Sequence, residues 1–383
     1  MSLKEFSIVD TTLREGEQFY KTNFSSQDRF EIARQLSDFG VEYIEVTSPC
    51  ASPQSRTDCE KIAKMGLKSQ ILTHIRCTKE DAAIALETGV SGINFFYQSA
   101  KHPGKNNPGK PGLQVLENII DVLRFTREKS PETKIRFSLE DSFRAPMDRL
   151  SEIYTAVGKS GLVDRLGIAD TVGIALPQDV KRIVRHLMSL GRTDIEFHGH
   201  NDTESAVTNS YAALKAGATH IDTSVLGIGE RNGITSLAGF IARMYSIETH
   251  IVKTKYNLDR FKKLHSTVAR IVGIEIPFNH PIVGESAFIH KAGVHTKAVI
   301  LNPKSYEIID PADFDERRTI LIAHKLTGWN ALKNRAENIG LVFKDDEIKE
   351  LALEIKQMAD SKNIRMKEVD EILMAGYQKR EIK

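Results

Sequence analysis

The sequence predicts an α/β protein in which a closed (β/α)₈ TIM barrel precedes a mostly helical C-terminal region. Short β-rich runs alternate with amphipathic helical stretches from residue 6 to residue 226, in the order expected of eight βα units. Within several runs, polar side chains share one face and apolar side chains the other, which favours closure around a polar centre. An open doubly wound sheet is the alternative, but no Gly-x-Gly-x-x-Gly follows the first strand.

The elements follow one another along the chain with little interruption. The predicted strands are 6–10, 42–47, 70–77, 92–97, 134–140, 165–171, 194–200 and 220–226. The helical segments between them include 26–39, 79–88, 113–129, 146–160, 177–190 and 209–216. After residue 240 the alternation stops, and segments 251–275 and 323–376 look helical around a mixed stretch at 277–298. We therefore predict a catalytic barrel at 1–245 and mostly helical linker and lid subdomains at 246–383.

Composition excludes several classes of protein. The 383 residues include 53 basic and 51 acidic side chains, a balance that gives no general attraction to nucleic acid or to membranes. No apolar run approaches the ~20 residues of a membrane span, and residues 1–10 lack the pattern of a signal peptide. Cys50, Cys59 and Cys77 form no paired framework, so we expect packing cysteines in a reducing, cytoplasmic location.

The segment 195–202 (IEFHGHND) is the strongest indication of chemistry. Read as a strand, it places Glu196, His198 and His200 on one face, opposite Ile195 and Phe197. A polar interior face is costly unless something pairs with it, and a divalent metal suits a His-x-His pair. For such a pair taken alone, a solvated strand face is the alternative interpretation.

Other polar residues are expected to meet these histidines inside the barrel. Strands one, three, five and seven contribute to shared layers, which brings Glu15, His74 and Glu140 to the same mouth as His198 and His200. Glu15 with the two imidazoles forms a candidate ligand set for Zn²⁺, Mn²⁺, Mg²⁺ or Co²⁺, with coordination positions left for substrate. Without the histidines, Glu15 would be read as an exposed loop carboxylate.

Three arginines, Arg14, Arg76 and Arg136, are expected around the same mouth. A guanidinium binds a carboxylate through two parallel hydrogen bonds, so the substrate is predicted to be anionic. Ser138 and Thr171 would add neutral donors. An internal Arg136–Glu140 ion pair is the structural alternative.

Two further segments contain residues suited to ligand contact. The stretch 226–233 (LGIGERNG) leaves strand eight, and its glycines allow a backbone to approach a ligand closely, with phosphate a common ligand at this position of a barrel. The stretch 288–297 (FIHKAGVHTK) offers His and Lys beyond the barrel. An ordinary basic loop is the alternative interpretation of the second stretch.

In combination these motifs resemble the homocitrate synthase family of the α-aminoadipate lysine pathway, which is related to isopropylmalate synthases. The matching segments are 10–19 (DTTLREGEQF), 73–77 (THIRC), 136–144 (RFSLEDSFR), 169–173 (ADTVG), 196–203 (EFHGHNDT), 226–234 (LGIGERNGI) and 290–298 (HKAGVHTKA). The resemblance spans nearly the whole chain. It implies a metal-dependent Claisen-type condensation of acetyl-CoA with 2-oxoglutarate, giving homocitrate and CoA.

The resemblance also implies a role for each site residue. Glu15, His198 and His200 would hold the metal, and Arg14 and Gln18 would contact the keto-acid head. Arg136, Ser138 and Thr171 would bind the distal carboxylate of the substrate, and His74 would line the pocket. Gly227, Gly229 and Asn232 would bind the cofactor. Glu140, His295 and Tyr306 would carry out the acid–base steps. The neighbouring subunit of a homodimer would supply His295 and Tyr306.

The chain departs from the family pattern at three places. A Pro/Gly/Lys-rich loop at 101–112 follows strand four, Asn94 replaces a usual acidic residue that helps to bind the inhibitor lysine, and Glu204-Ser205 replaces Gly-Cys. Asn94 predicts weaker inhibition by lysine. The loop leaves another acceptor open (oxaloacetate, phosphonopyruvate or a 2-oxoisovalerate-like acid), and a metal-dependent retro-aldol lyase is the other enzymatic alternative. An inactive binding protein would be expected to lack one of Glu15, His198, His200 or His295, and all four are present.

Overall fold

The structure, a computed structural model, describes residues 6–98, 113–191 and 193–381. These residues fall into two compact units that divide between Ile276 and Pro277. The predicted loop at 101–112 lies outside the described residues.

The first unit contains a closed parallel barrel, as the sequence predicts. Its strands are β1 (Ser7–Asp10), β2 (Tyr43–Val46), β3 (Gln70–Arg76), β4 (Gly92–Tyr97), β5 (Lys134–Leu139), β6 (Arg165–Asp170), β7 (Asp194–Gly199) and β8 (His220–Thr223). Each strand pairs in parallel with the next, and β8 pairs with β1 to close the cylinder. The carboxyl ends of all eight strands therefore open at one mouth.

Helices cover the outside of the barrel and end the first unit. They are α1 (Ser26–Phe39), α2 (Pro53–Ala63), α3 (Lys79–Glu87), α4 (Leu113–Lys129), α5 (Met147–Lys159), α6 (Pro177–Leu190), α7 (Ala206–Ala216), α8 (Leu237–Lys255) and α9 (Phe261–Val272). The sequence prediction omits α2, although Ser52 caps it and Pro53 opens its first turn. A capping box of Ser25 and Asp28 starts α1, and Gly40, with φ of 107°, ends it.

Alternation along the strands separates a polar interior from an apolar layer under the helices. On β7, Ile195 and Phe197 are fully buried, while Glu196 and His198 belong to the opposite face. The first unit continues past the predicted boundary at 245, because α8 spans that position and α9 packs on α1. The strands that carry the site therefore bury their apolar faces within the first unit.

The second unit is mostly helical, in agreement with the predicted fold class. It contains β9 (Ile289–His290), α10 (Gly293–Leu301), β10 (Thr319–Ile320), α11 (Trp329–Asn338), α12 (Asp345–Ser361) and α13 (Met366–Glu381). The last three helices share a core that includes Leu332, Ile355 and Leu373. Within the described residues of the chain, no helix combines the length and the apolar character that crossing a membrane requires.

Candidate active site

A cavity of about 430 Å³ opens at the carboxyl ends of the strands, where a barrel places functional groups. Its lining includes the predicted positions Arg14, Glu15, Gln18, His74, Arg136, Ser138, Glu140, Thr171, His198 and His200. The convergence predicted from strands one, three, five and seven is therefore present in the structure. Even-numbered strands add Thr47, Phe96 and Ala169 to the wall.

Glu15, His198 and His200 form a compact ligand set. One ligand atom from each residue lies within 4.8 Å of the others, and all three residues are buried. The Nε2 atoms of His198 and His200 are 3.4 Å apart, and Nε2 of His198 lies 3.9 Å from Oε2 of Glu15. A direct N–H···N bond is weak at this separation, whereas a divalent cation would satisfy both nitrogens and the carboxylate. The donor set fits a metal.

Asp222, on β8, orients the first of these histidines. Its Oδ2 atom lies 2.9 Å from Nδ1 of His198, and the carboxylate is fully buried. This contact assigns the proton to Nδ1 and directs the lone pair of Nε2 toward Glu15 and His200, as in the carboxylate–histidine–metal arrangement. Nδ1 of His200 has no hydrogen-bond partner among the described residues.

Burial and nearby charge keep the ligand set in its metal-binding protonation state. Burial, reinforced by Arg14, lowers the pKa of His198 to about 3, and burial also lowers the pKa of His200. For Glu15, burial acts to raise the pKa, but Arg14 and the neighbouring imidazoles bring it below its usual value. At neutral pH the site therefore offers two neutral imidazoles and one carboxylate.

Contacts from the loop after β8 and from the adjacent Arg14 hold Glu15 in place. The backbone N–H of Glu230 donates to Oε1 of Glu15 at 3.0 Å, and Arg14 donates through Nη1 to Oε2. Arg14 is itself held by Glu45 of β2, whose Oε1 atom accepts from Nε at 2.6 Å. Glu45 is fully buried and also accepts from the side-chain amide of Asn94. The predicted head-group arginine is thus fixed beside the candidate metal ligand.

Arg136 lies deep in the barrel and is only 2% exposed. The predicted alternative pairing with Glu140 is wrong, because Nε of Arg136 lies 2.8 Å from Oε1 of Glu196. The other oxygen of Glu196 accepts from Nη1 of Arg165 at 2.8 Å. Glu196 is on β7, two strands from Arg136, whereas Glu140 directly follows β5, which contains Arg136, and lines the cavity near the carboxyl ends of the strands.

The neutral predicted residues line the same cavity. Ser138 is buried on β5, and the hydroxyl of Thr171 accepts a hydrogen bond from the backbone of Asp141 at 2.8 Å. Accepting that bond leaves the hydroxyl proton of Thr171 available to a ligand. His74 packs against Phe96 with ring centroids 4.7 Å apart, and burial lowers its pKa well below the usual value. His74 is therefore neutral at neutral pH.

Arg76 does not belong to the site, contrary to the sequence prediction. Its side chain is 68% exposed and forms two hydrogen bonds with Asp81 of α3. Asp81 is nearly fully buried and follows closely on the end of β3. Arg76 is the last residue of β3, and its guanidinium binds Asp81 at the exposed surface instead of lining the cavity.

The glycine-rich loop after β8 contacts the pocket through Glu230 and Arg231, neither of which the sequence analysis singled out. Gly229 packs on the candidate ligand, since a Cβ there would lie 3.0 Å from Cγ of Glu15. Gly227 has φ of 70°, a conformation that favours glycine. Asn232 is exposed. Backbone geometry thus accounts for both glycines, and their role in cofactor binding stays a prediction.

His295 and Tyr306 lie in the second unit. Their rings stack with centroids 4.5 Å apart, and both side chains are exposed. Close by in sequence, Glu307 accepts from Nε of Arg318 at 2.7 Å and contacts His290 at the same distance. This unit therefore presents an exposed imidazole–phenol pair on a segment held by partly buried ion pairs.

Sequence reasoning missed the buried partners Glu45, Arg165 and Asp222. The signal was available, because period-two alternation on β2, β6 and β8 places each of them on the face opposite Ile44, Leu166 or Ile221. The predicted convergence at the mouth was based on the side chains of strands one, three, five and seven. The even-numbered strands supply the carboxylates and the arginine that hold the mouth residues in place.

Comparison with known proteins gives this arrangement a family. The model of the HMGL-like family matches residues 5–268, and the model described as homocitrate synthase post-HMGL domain-like matches residues 282–363. The mitochondrial homocitrate synthase of Penicillium rubens is 50% identical over 98% of this chain and 79% of its own length. The chain belongs to the homocitrate synthase family.

Two further comparisons separate family from fold. The cytosolic homocitrate synthase isozyme of Saccharomyces cerevisiae is 49% identical over 97% of this chain and 86% of its own. The solved HMG-CoA lyase of Bacillus subtilis has a TM-score of 0.62 at 21% identity, covering 72% of this chain and 97% of its own. The lyase shares the barrel, whereas the homocitrate synthase relatives match nearly the whole chain.

Proposed function

We propose that the protein is an acyltransferase that condenses acetyl-CoA with 2-oxoglutarate and water, giving homocitrate and CoA in lysine biosynthesis. One observation supports this assignment above the others. A single cavity joins the ligand set Glu15, His198 and His200 to a deeply buried arginine, Arg136. A substrate with a 2-oxo acid head and a distal carboxylate matches both ends of such a cavity.

A divalent ion held by Glu15, His198 and His200 would supply a Lewis acid for the ketone of the 2-oxo acid. Two imidazoles with one carboxylate suit Zn²⁺, Mn²⁺ or Co²⁺, and Mg²⁺ is the fourth ion that we propose to test. Arg14 and Gln18 bind the head carboxylate, and Arg136, Ser138 and Thr171 bind the distal one. His74 closes the wall between them.

Acid–base steps fall to Glu140, His295 and Tyr306 in this proposal. A thioester methyl group is a weak acid, so a positioned base must take its proton while the new carbon–carbon bond forms. A proton must also reach the oxygen of the former ketone, and water then cleaves the thioester to release CoA. Glu140 supports this assignment by position, because it lines the cavity near the mouth.

Release of CoA thiol is the direct assay. Purified protein receives acetyl-CoA, one of the four ions and one 2-oxo acid from a panel of 2-oxoglutarate, oxaloacetate, phosphonopyruvate and 2-oxoisovalerate. We expect the highest kcat/KM with 2-oxoglutarate, together with homocitrate as product. A preference for another acid would show that this acid, and not 2-oxoglutarate, is the acceptor. Cleavage of a hydroxy acid without acetyl-CoA would indicate a lyase.

We also propose a homodimer in which each subunit supplies His295 and Tyr306 to its neighbour's barrel. Large apolar side chains around this pair, Val294, Leu301 and Ile308, are each more than 70% exposed in the single chain, as expected for a surface that a partner covers. Small-molecule substrates are the remaining partners in this proposal. No role in binding nucleic acid or membranes is proposed.

Mixing two inactive variants tests the shared site. His198→Ala and His295→Ala proteins are each expected to be inactive, and unfolding and refolding them together is expected to restore about a quarter of wild-type activity by random pairing. Recovery occurs because one mouth of each mixed dimer keeps both histidines. Mixed dimers without activity, verified by affinity tags, would place both histidines of a working site in one subunit.

Asn94→Asp is expected to strengthen inhibition by lysine. Asn94 is fully buried and donates to Glu45, so the aspartate would set two carboxylates side by side, an arrangement that favours an ammonium group. We expect weak inhibition of the wild type and an inhibition constant lower by roughly tenfold in the variant. Norleucine, which lacks the side-chain ammonium group of lysine, is the control. Micromolar inhibition by lysine that the substitution leaves unchanged would contradict this prediction.

A cytoplasmic location is the last part of the proposal. The three cysteines, Cys50, Cys59 and Cys77, are all unpaired, which is usual in a reducing compartment. The named relatives include both mitochondrial and cytosolic enzymes. Fractionation of the source cells, followed with an antibody against the protein, tests the location.

A further inference from the structure

We propose that Gly167 is a specificity-determining position, because its missing side chain lets Arg136 cross strand β6 and present its guanidinium to the distal carboxylate of the substrate. This inference rests on the proposed function. It assigns the choice of a dicarboxylic acceptor to a glycine that contacts the arginine rather than the substrate.

The register of three neighbouring strands gives the path of the arginine. Gly167 of β6 pairs with Ser138 of β5 on one side and with Glu196 of β7 on the other. Arg136 starts one inward position deeper on β5, level with Arg165, yet its Nε atom lies 2.8 Å from Glu196. The side chain must therefore pass over β6 to reach β7, and it passes at Gly167.

The space over Gly167 is filled by the guanidinium itself. A Cβ on this residue would lie 2.6 Å from Cζ and 2.7 Å from Nη2 of Arg136, well inside van der Waals contact. An alanine would therefore displace the guanidinium. The arginine has little room to yield, because it is 2% exposed and is held by Glu196.

The other inward-facing residues of β6 also leave space for Arg136 or help to fix its partner Glu196. Below Gly167, the guanidinium of Arg165 stacks over the ring of Tyr43 at 4.5 Å and binds the second oxygen of Glu196. Above Gly167, Ala169 and Thr171 line the cavity with small side chains. Glu196 thus lies between two arginines, so one carboxylate meets two positive charges. Arg136 also lines the cavity, so its guanidinium can bind a carboxylate there.

Gly167→Ala is the variant that tests this inference, and Gly158→Ala is its control. Gly158 lies in α5, where the nearest side-chain atoms to an added Cβ are 3.7 and 3.9 Å away, so alanine is tolerated there. Thiol release is measured with 2-oxoglutarate and with pyruvate, which has the same head but no distal carboxylate. Cobalt binding by visible absorption and the Tm are measured for every protein.

For Gly167→Ala we expect kcat/KM with 2-oxoglutarate to fall by about 100-fold, mainly through KM, because a charge-assisted contact is lost. With pyruvate the change is expected to stay below about threefold, since pyruvate makes no use of the displaced group. The cobalt spectrum is expected to stay unchanged, and Gly158→Ala is expected to behave as wild type. Unchanged selectivity in a folded Gly167→Ala protein would overturn the inference.

A double-mutant cycle shows whether the glycine acts through the arginine. Combining Gly167→Ala with Arg136→Ala is expected to lower kcat/KM for 2-oxoglutarate no further than Arg136→Ala alone. Losses that multiply would overturn the inference, because the glycine would then act elsewhere. If Gly167→Ala does not unfold cooperatively, a cooperative transition regained in the double variant with Arg136→Ala would show that the added methyl group acts on the arginine, and a double variant that also fails to fold would overturn the inference.

The wild-type protein separates this inference from the proposed function. If the wild type releases no CoA with 2-oxoglutarate, the proposed function fails and the variants are not informative about it. If the wild type prefers 2-oxoglutarate and Gly167→Ala keeps that preference, only the role of Gly167 fails.

Discussion

His198→Ala is expected to abolish turnover, with kcat/KM lower by ~10³-fold or more, because the ligand set falls from three groups to two. The remaining carboxylate of Glu15 and the imidazole of His200 bind a divalent ion weakly. Loss of metal is therefore expected to accompany loss of activity. Equilibrium binding of Co²⁺, followed by visible absorption, measures the metal independently of turnover.

Two further variants show that the effect belongs to the ligand set. His186→Ala removes a half-buried imidazole that contacts Ser151 between α5 and α6, and it is expected to leave activity and metal binding unchanged. Asp222→Asn keeps the shape of the group that orients His198 but removes its charge, and we expect metal affinity lower by about 10- to 100-fold. Full metal binding by His198→Ala would show that these three residues are not the ligands.

Arg136→Ala is expected to remove the preference for an acceptor with a distal carboxylate. The ratio of kcat/KM for 2-oxoglutarate to that for pyruvate is expected to fall by roughly 10³-fold, because a buried guanidinium is the main partner of the distal carboxylate and a site built to bind a polar group rejects ligands that lack it. Metal binding is expected to remain, since Arg136 forms its ion pairs with Glu196 and Asp222 rather than with the three ligands.

Arg76→Ala is the matched control for this prediction. It also removes an arginine from a strand of the barrel, but Arg76 is exposed and bound to Asp81 rather than to the pocket. We expect its selectivity to equal that of wild type. An Arg136→Ala protein that binds cobalt normally and still prefers 2-oxoglutarate would exclude Arg136 from substrate recognition.

Much of the candidate site could be predicted because its residues follow a local rule. His198 and His200 are two positions apart, so one strand direction places both on the same face. Glu15, His74 and Glu140 follow or end other strands, and the carboxyl ends of parallel strands meet at one mouth. All five residues line the cavity. Predicting this required only the correct number and direction of the strands.

The partners of the arginines could not be predicted in the same way. An ion pair of Arg136 with Glu140, four residues along the chain, was the alternative interpretation, but Arg136 pairs with Glu196 two strands away. Arg76 shares the alternation of His74, yet its side chain binds Asp81 of α3 and is exposed. In both cases the choice depends on strand register and on which neighbour fills the intervening space, and neither is encoded in a short segment.

The sequence by itself determined the eight-stranded barrel, the polar character of its interior and the three candidate metal ligands, because period-two alternation and the order of elements are local properties of the chain. Only the tertiary structure decided how the interior charges are shared: Glu45 with Arg14, Asp222 with His198, and Glu196 between Arg136 and Arg165. The physical reason is that a buried charge must find its counter-charge across strands far apart in sequence. The close approach that Gly167 permits exists only once those strands are in register.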